Sequence, residues 1–167
     1  MREDIVRFTS TLLTVALAAG ASMTVHGQLT ERNISLQLAT TIAQAAMAAC
    51  KKEGIDTTAA VVDRAGDLKV LLRSDASNPH NAELARRKAY TARTFGVSTM
   101  EFRNRTAGGS ELAGQRDLFD IIPLGGGLPI TIGMERIGGL GLSGAPTQED
   151  DDRCAKAALA SVTGQLK

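Results

Sequence analysis

The sequence predicts an α+β protein in which helices pack on an antiparallel sheet. Helical and strand-like patterns follow one another along the chain, short turns join the strands, and no internal repeat is present. The chain has 167 residues, of which 43% are hydrophobic and 22% charged, a composition typical of one globular domain. Strands joined by short turns pair antiparallel, and helices then cover the sheet that they form.

The first part of the chain predicts one helix followed by a β-hairpin. Apolar residues recur at helical spacing and Gly54 provides a stop, so residues 35–53 are predicted to be helical. Residues 58–62 form a short apolar run rich in β-branched side chains, and residues 68–72 alternate in polarity. The turn-forming cluster at residues 63–67 joins the two runs, which predicts a hairpin.

A second helix and an irregular region are predicted next. Residues 82–95 are good helix formers, and Gly96 is expected to end the helix. Ala85 and Ala89 belong to a stripe of small side chains on this helix, which allows another backbone or a flat ligand to approach closely. Residues 98–120 are mixed, and we expect a short helix followed by a loop there.

The last part of the chain predicts two strands and a final helix. Residues 130–132 and 137–142 have the apolar, β-branched character of strands, with a turn at residues 133–136 between them. Thr147 is positioned to cap the last helix, whose first turn is rich in acidic residues. Acidic side chains are favourable there because the helix N-terminus carries partial positive charge.

The N-terminal residues predict a secretory signal peptide. Residues 8–25 contain no charged side chain, and Arg2 and Arg7 precede them. The apolar run is too short to span a bilayer, and small or modest residues precede a possible cleavage site before Gln28. We therefore expect residues 1–27 to be removed and one domain to remain in the periplasm or outside the cell. The alternative is an N-terminal amphipathic helix that stays and packs.

Two cysteines and a balanced charge restrict the function further. Cys50 and Cys154 fall in separate predicted helices, so a disulfide and two buried, unpaired thiols are both open, and the unpaired state is preferred. The net charge is +1 and aromatic residues make up 3% of the chain. Neither value favours a nucleic-acid partner, which needs a basic surface or exposed rings.

Few motifs point to chemistry directly. Residues 139–144 match the glycine spacing of a dinucleotide-binding loop, but the chain lacks the βαβ unit that must follow it. The loop from Gly125 through Gly126 to Gly127 offers backbone N–H groups to an anion, or is only the turn that enters a strand. His80 is the only histidine of residues 28–167, which argues against a zinc site. A catalytic triad would have to use this one imidazole, and the spacing of the sequence places no convincing nucleophile for it.

Five segments together resemble the GlcG/HbpS-type family of haem-binding domains. The matching segments are residues 60–68, 85–92, 124–130, 137–146 and 151–158. The resemblance implies a profilin-like three-layer α/β/α fold with an antiparallel sheet of about five strands. It also implies assembly into homo-oligomers and binding of haem or a related tetrapyrrole. A corrinoid is an alternative cofactor, since the domain also occurs in some corrinoid adenosyltransferases.

The resemblance places the ligand against the second helix. Lys88, Tyr90 and Thr91 belong to the matching helix segment, and Thr91 or Tyr90 is expected to face the metal. His80 opens that helix and is chemically the better iron donor, because haem requires only one axial ligand from the protein. Arg87 is expected to pair with a ligand propionate, although a basic helix face is more often simply solvated.

Three functions therefore stay open, in order of preference. The first is an exported haem-binding protein that serves in storage, degradation or sensing, the last beside a membrane sensor protein. The second is a small catabolic enzyme acting on a hydroxy acid or aromatic metabolite. That enzyme would use the Gly125–Gly127 loop as an anion site and Lys88 or Asp63 as acid and base. The third is a ligand-free oligomeric interaction module.

Overall fold

The computed structural model describes Gly27 and residues 29–167, so the predicted signal segment lies almost wholly outside the described residues. Residues Glu31–Lys167 form one compact unit. Its elements in chain order are α1 (Leu36–Lys51), β1 (Thr58–Asp63), β2 (Leu68–Arg73), α2 (Asn81–Phe95), α3 (Thr99–Arg105), β3 (Gly127–Ile132), β4 (Glu135–Ser143) and α4 (Gln148–Val162). Short 3-10 turns occupy Ala113–Asp117 and Thr163–Gln165. The predicted order of helices and strands is confirmed.

The strands form one antiparallel sheet in the order β2-β1-β4-β3. The described part of the chain has four strands in this sheet, where the sequence predicted about five. The isoleucines before β3 do not add a strand, because the Ile122 amide donates to the Thr91 hydroxyl at 2.9 Å. That amide is bonded to a helix side chain and not to a neighbouring strand.

Side-chain alternation along the strands separates two layers of helix. Val61, Leu140 and Leu142 point to one face of the sheet and join the apolar core formed with α1 and α4. The opposite face carries Gly139 and Gly141 of β4, which lie against α2. The predicted α+β class and three-layer α/β/α arrangement are therefore confirmed.

The backbone of α2 packs directly against the backbone of β4. A Cβ atom built on Gly141 would overlap the carbonyl oxygen of Ala85 and lie 2.6 Å from the amide nitrogen of Ala89. A Cβ atom on Gly139 would overlap the Ala89 carbonyl oxygen. The alanine stripe predicted to permit close approach is thus matched by glycines on the strand, and the contact excludes any larger side chain.

The helix termini follow the predicted chemistry. The Ser35 hydroxyl accepts from the Leu38 amide, and the Thr147 hydroxyl accepts from the Asp150 amide, each at 3.2 Å. These bonds satisfy amides that have no partner within the helix. Gly96 adopts φ +69° at the end of α2, a left-handed conformation that favours glycine.

A disulfide between Cys50 and Cys154 joins α1 to α4. The preference for unpaired thiols is therefore wrong, although both residues are buried as expected, at 0% and 1% exposure. The two Cα atoms lie 5.3 Å apart although 104 positions separate the cysteines in sequence. Sequence periodicity gives each helix its buried face, but it does not show that these two faces meet.

Within residues 29–167, no helix combines the length and the apolar character that crossing a membrane requires.

Removing the disulfide tests its part in stability. Cys50→Ala with Cys154→Ala is expected to lower the free energy of unfolding by about 2–5 kcal/mol, because the bridge restricts a long loop in the unfolded chain. Urea unfolding of the wild type with and without reductant, and of the double variant, measures this loss. The variant should not respond to reductant, and a wild type that does not respond either would contradict the assignment.

Candidate functional site

A cavity of about 260 Å³ lies where the start of α2, the end of β4 and the start of α4 meet. Two of the predicted site residues, His80 and Lys88, line it together with Leu124, Gln148 and Asp151. His80 is exposed and Lys88 is buried. The cavity therefore leads from the surface to a buried amine.

Lys88 and Asp151 form a buried ion pair at this cavity. Their side chains are 3% and 5% exposed, and Lys88 Nζ donates to Asp151 Oδ2 at 2.8 Å. Lys88 Nζ also donates to the Leu142 carbonyl oxygen at 2.8 Å, and Asp151 Oδ1 accepts from the Ala145 amide at 3.1 Å. The pair thus joins α2 to the end of β4 and to the first turn of α4.

Burial works against both charges of the pair. It lowers the pKa of Lys88, and the opposite charge of Asp151 counters only part of that shift. It likewise raises the pKa of Asp151, against the stabilising effect of Lys88. Desolvation disfavours whichever form is charged, so the two groups are closer to exchanging a proton than an exposed pair would be.

A chain of buried hydroxyl and amide groups fixes the start of α2. The Ser143 hydroxyl donates to Asn81 Oδ1 at 3.1 Å, and Asn81 Nδ2 donates to the Ser77 hydroxyl at 3.1 Å. The Ser77 and Thr58 hydroxyls lie 2.9 Å apart. Because Asn81 directly follows His80, this network holds the backbone of His80 in place at the cavity.

His80 precedes α2 without capping it. Its side chain makes no capping hydrogen bond, and the residue is exposed. The imidazole thus remains accessible from solvent, which is what a ligand donor needs.

The other predicted residues of α2 contact neighbouring segments of the protein. Thr91 is fully buried, and its hydroxyl donates to the Arg87 carbonyl oxygen at 2.8 Å while it accepts from the Ile122 amide. Arg87 Nη2 donates to the Ile121 carbonyl oxygen at 2.6 Å. The Tyr90 ring packs over Gly66, where a Cβ atom would lie 2.7 Å from the ring. These residues share the helix with Lys88 but do not line the His80 cavity.

Two amides of the glycine loop before β3 donate to side chains of the protein. The Gly125 amide donates to Gln148 Oε1 at 2.9 Å, and the Gly127 amide donates to the Thr99 hydroxyl at 2.8 Å. Gly126 has φ +106°. The loop enters β3 directly, and its role as an anion site stays a prediction.

A larger cavity lies elsewhere. It measures about 470 Å³, lies between α1 and β2, and is lined by residues that include Met47, Ile55 and Leu72. No residue predicted for the site lines it. Within residues 29–167, no group of three or more His, Cys, Asp or Glu residues is arranged to hold a metal ion.

Sequence reasoning missed Asp151 as a site residue. It lies in the acidic run that follows Thr147, where each carboxylate is explained by the helix N-terminus alone. Asp151 and Asp152 are both buried, and what distinguishes Asp151 is its bond to Lys88 of α2, whereas Asp152 pairs with Lys156 of its own helix. Helical spacing from Cys154 and Ala158, which define the buried face of α4, was the available signal.

Removing one member of the ion pair is expected to lower the free energy of unfolding more than replacing both members with apolar residues. Lys88→Met should lower the free energy of unfolding by about 3–5 kcal/mol, because it leaves Asp151 buried without its counter-charge. Lys88→Met combined with Asp151→Leu should recover most of that loss, since an apolar pair leaves no buried charge. Urea unfolding of the three proteins measures both steps, and a double variant no more stable than the single one would contradict this account.

Comparison with known proteins identifies the family. The family model described as "Haem degrading protein HbpS-like" matches residues 34–160. An uncharacterized 15.0 kDa protein from the dhaT-dhaS intergenic region of Citrobacter freundii is 31% identical over 119 residues, which cover 70% of this chain and 84% of that protein.

Solved structures share both the fold and part of the sequence. A double mutant of HbpS from Streptomyces reticuli is 32% identical with a TM-score of 0.78, covering 88% of this chain and 99% of that one. PduOC, solved as a haem complex, is 27% identical with a TM-score of 0.72, covering 77% and 94%. The resemblance drawn from the sequence is confirmed, and the chain belongs to the family of the haem degrading protein HbpS.

Proposed function

We propose that this chain is an exported protein that binds haem, with His80 as the axial ligand of the iron. Membership of the HbpS-like family supports haem as the ligand, and so does the haem complex of PduOC. Haem capture is the step that storage, degradation and sensing have in common. The bound iron would supply the redox chemistry, and the protein supplies the donor and the surface that orients the macrocycle.

The accessible imidazole of His80 is the observation that carries this proposal. It is exposed at a cavity that also presents the apolar side chains of Leu84, Leu124 and Pro146. A nitrogen donor beside apolar surface suits an iron porphyrin. Thr91 fits the role less well, because its hydroxyl is buried and already bonded to Arg87 and Ile122.

The cavity size favours a haem that is shared between subunits. About 260 Å³ is below the range of about 300–1,000 Å³ that encloses drug-sized ligands. A macrocycle bound through His80 therefore extends beyond the cavity and needs a second surface to cover it. Leu118 and Phe119 are 54% and 89% exposed, and apolar side chains of this kind suit contact with a second copy of the chain.

The disulfide supports export. Disulfides form and persist in oxidising compartments and are rare in the reducing cytosol. Cys50 and Cys154 are bridged in the core of the fold. Together with the predicted signal segment, this bridge favours the periplasm or the exterior of the cell as the site of action.

Titration with hemin, followed by the Soret band, tests the proposal. The wild type should saturate near one haem per chain, and His80→Ala should weaken binding at least about tenfold, or about 1.4 kcal/mol. Met47→Leu is the matched control, because it alters the larger cavity with little change in volume.

Three results would contradict the proposal. Binding no stronger than that of an unrelated protein would exclude haem as the ligand. Weakening by Met47→Leu and not by His80→Ala would place haem in the larger cavity. Tighter binding of aquocobalamin than of hemin would favour the corrinoid alternative.

A further inference from the structure

We propose that Lys88 is a carbonyl-trapping amine, which binds a small uncharged aldehyde as an imine in the His80 cavity. This inference goes beyond haem binding and does not depend on it. It rests on three features of the structure: a buried amine that lines a cavity, a carboxylate in contact with that amine, and the charge balance of the cavity.

Lys88 differs from every other lysine of the described residues. Its side chain is 3% exposed and lines a cavity, whereas the lysines at positions 51, 52, 69, 156 and 167 are exposed. Burial lowers the pKa of Lys88, so a larger fraction of this amine is uncharged near neutral pH. A protonated amine has no free lone pair and is a poor nucleophile, so the uncharged form is the one that reacts with a carbonyl group.

Asp151 is positioned to move the protons that imine formation requires. Its Oδ2 atom lies 2.8 Å from Lys88 Nζ, within the reach of a general base. Two oxygens accept hydrogen bonds from Lys88 Nζ, those of Asp151 and Leu142. An ammonium has three N–H groups, so one N–H has no bonded protein oxygen in the described part of the chain.

The steps balance without an added oxidant or reductant. Asp151 takes a proton from the Lys88 ammonium, and the nitrogen lone pair forms a bond to the aldehyde carbon. The carbonyl oxygen receives the proton held by Asp151, which gives a carbinolamine whose nitrogen still carries two protons and the positive charge. Transfer of one of these protons through Asp151 to the hydroxyl releases water and forms the C=N bond. The nitrogen keeps the third proton of the original ammonium, so the product is an iminium whose positive charge replaces that of the ammonium beside Asp151.

The charge of the cavity selects an uncharged substrate. Lys88 and Asp151 neutralise one another, and the remaining titratable side chain among the described lining residues is His80. A 2-oxo acid would bring a carboxylate for which this cavity has no spare cation. The volume of about 260 Å³ also favours a small molecule, so a short-chain aldehyde is the class that fits.

Reductive trapping tests the proposal on the haem-free full chain. We would incubate the protein with acetaldehyde and sodium cyanoborohydride at pH 7 and follow the ethyl adduct at each lysine by mass spectrometry. Lys88 should be modified at least about tenfold faster than the exposed lysines, because the cavity holds the aldehyde beside an amine that has a carboxylate in contact with it. Lys156 is the matched internal control, because it pairs with Asp152 at 2.6 Å yet is exposed.

A parallel reaction in urea separates the effect of the fold from that of local sequence. Unfolding exposes Lys88 to water, so its rate should fall to that of Lys156. Modification of folded Lys88 no faster than Lys156 would overturn the proposal, and so would an advantage that persists in the unfolded chain. Neither reaction contains haem, so a failure here is distinct from a failure of hemin binding.

Discussion

The contact between α2 and β4 is the constraint on which the site depends. Gly139 and Gly141 carry no side chain, so the carbonyl groups of Ala85 and Ala89 lie directly on the strand. Lys88 lies between these alanines in sequence and is buried together with them. A helix held further from the sheet would leave its amine in water, where it would be an ordinary cation.

Helix α4 connects the two layers that the sheet separates. Its first turn reaches α2 through the bond between Asp151 and Lys88, and its second turn reaches α1 through the disulfide of Cys154 with Cys50. One link is polar and lies at the cavity, whereas the other is covalent and lies in the core. Helix α4, whose first turn lines the His80 cavity, is therefore bonded to both helix layers.

Local patterns in the sequence predicted the helices and strands well, but they did not predict which of these elements contact one another. Gly96 and Thr147 marked helix ends correctly, because a left-handed residue and a capping hydroxyl act on their own neighbours. The disulfide and the burial of Asp151 were missed, since each depends on two segments that are far apart in sequence. Lys88 was selected through family resemblance and His80 as the chemically better iron donor, and their shared cavity emerged only from the fold.

The stability of Gly141→Ala tests the central claim most directly. The added methyl group would overlap the Ala85 carbonyl oxygen, so we predict a loss of about 3 kcal/mol or more in the free energy of unfolding. Gly114→Ala is the control, because a Cβ atom there meets no neighbour within 4 Å, and it should change that free energy by less than about 1 kcal/mol. Equal stability of the two variants would contradict the account, because the packing of α2 would then not require a position without a side chain on β4.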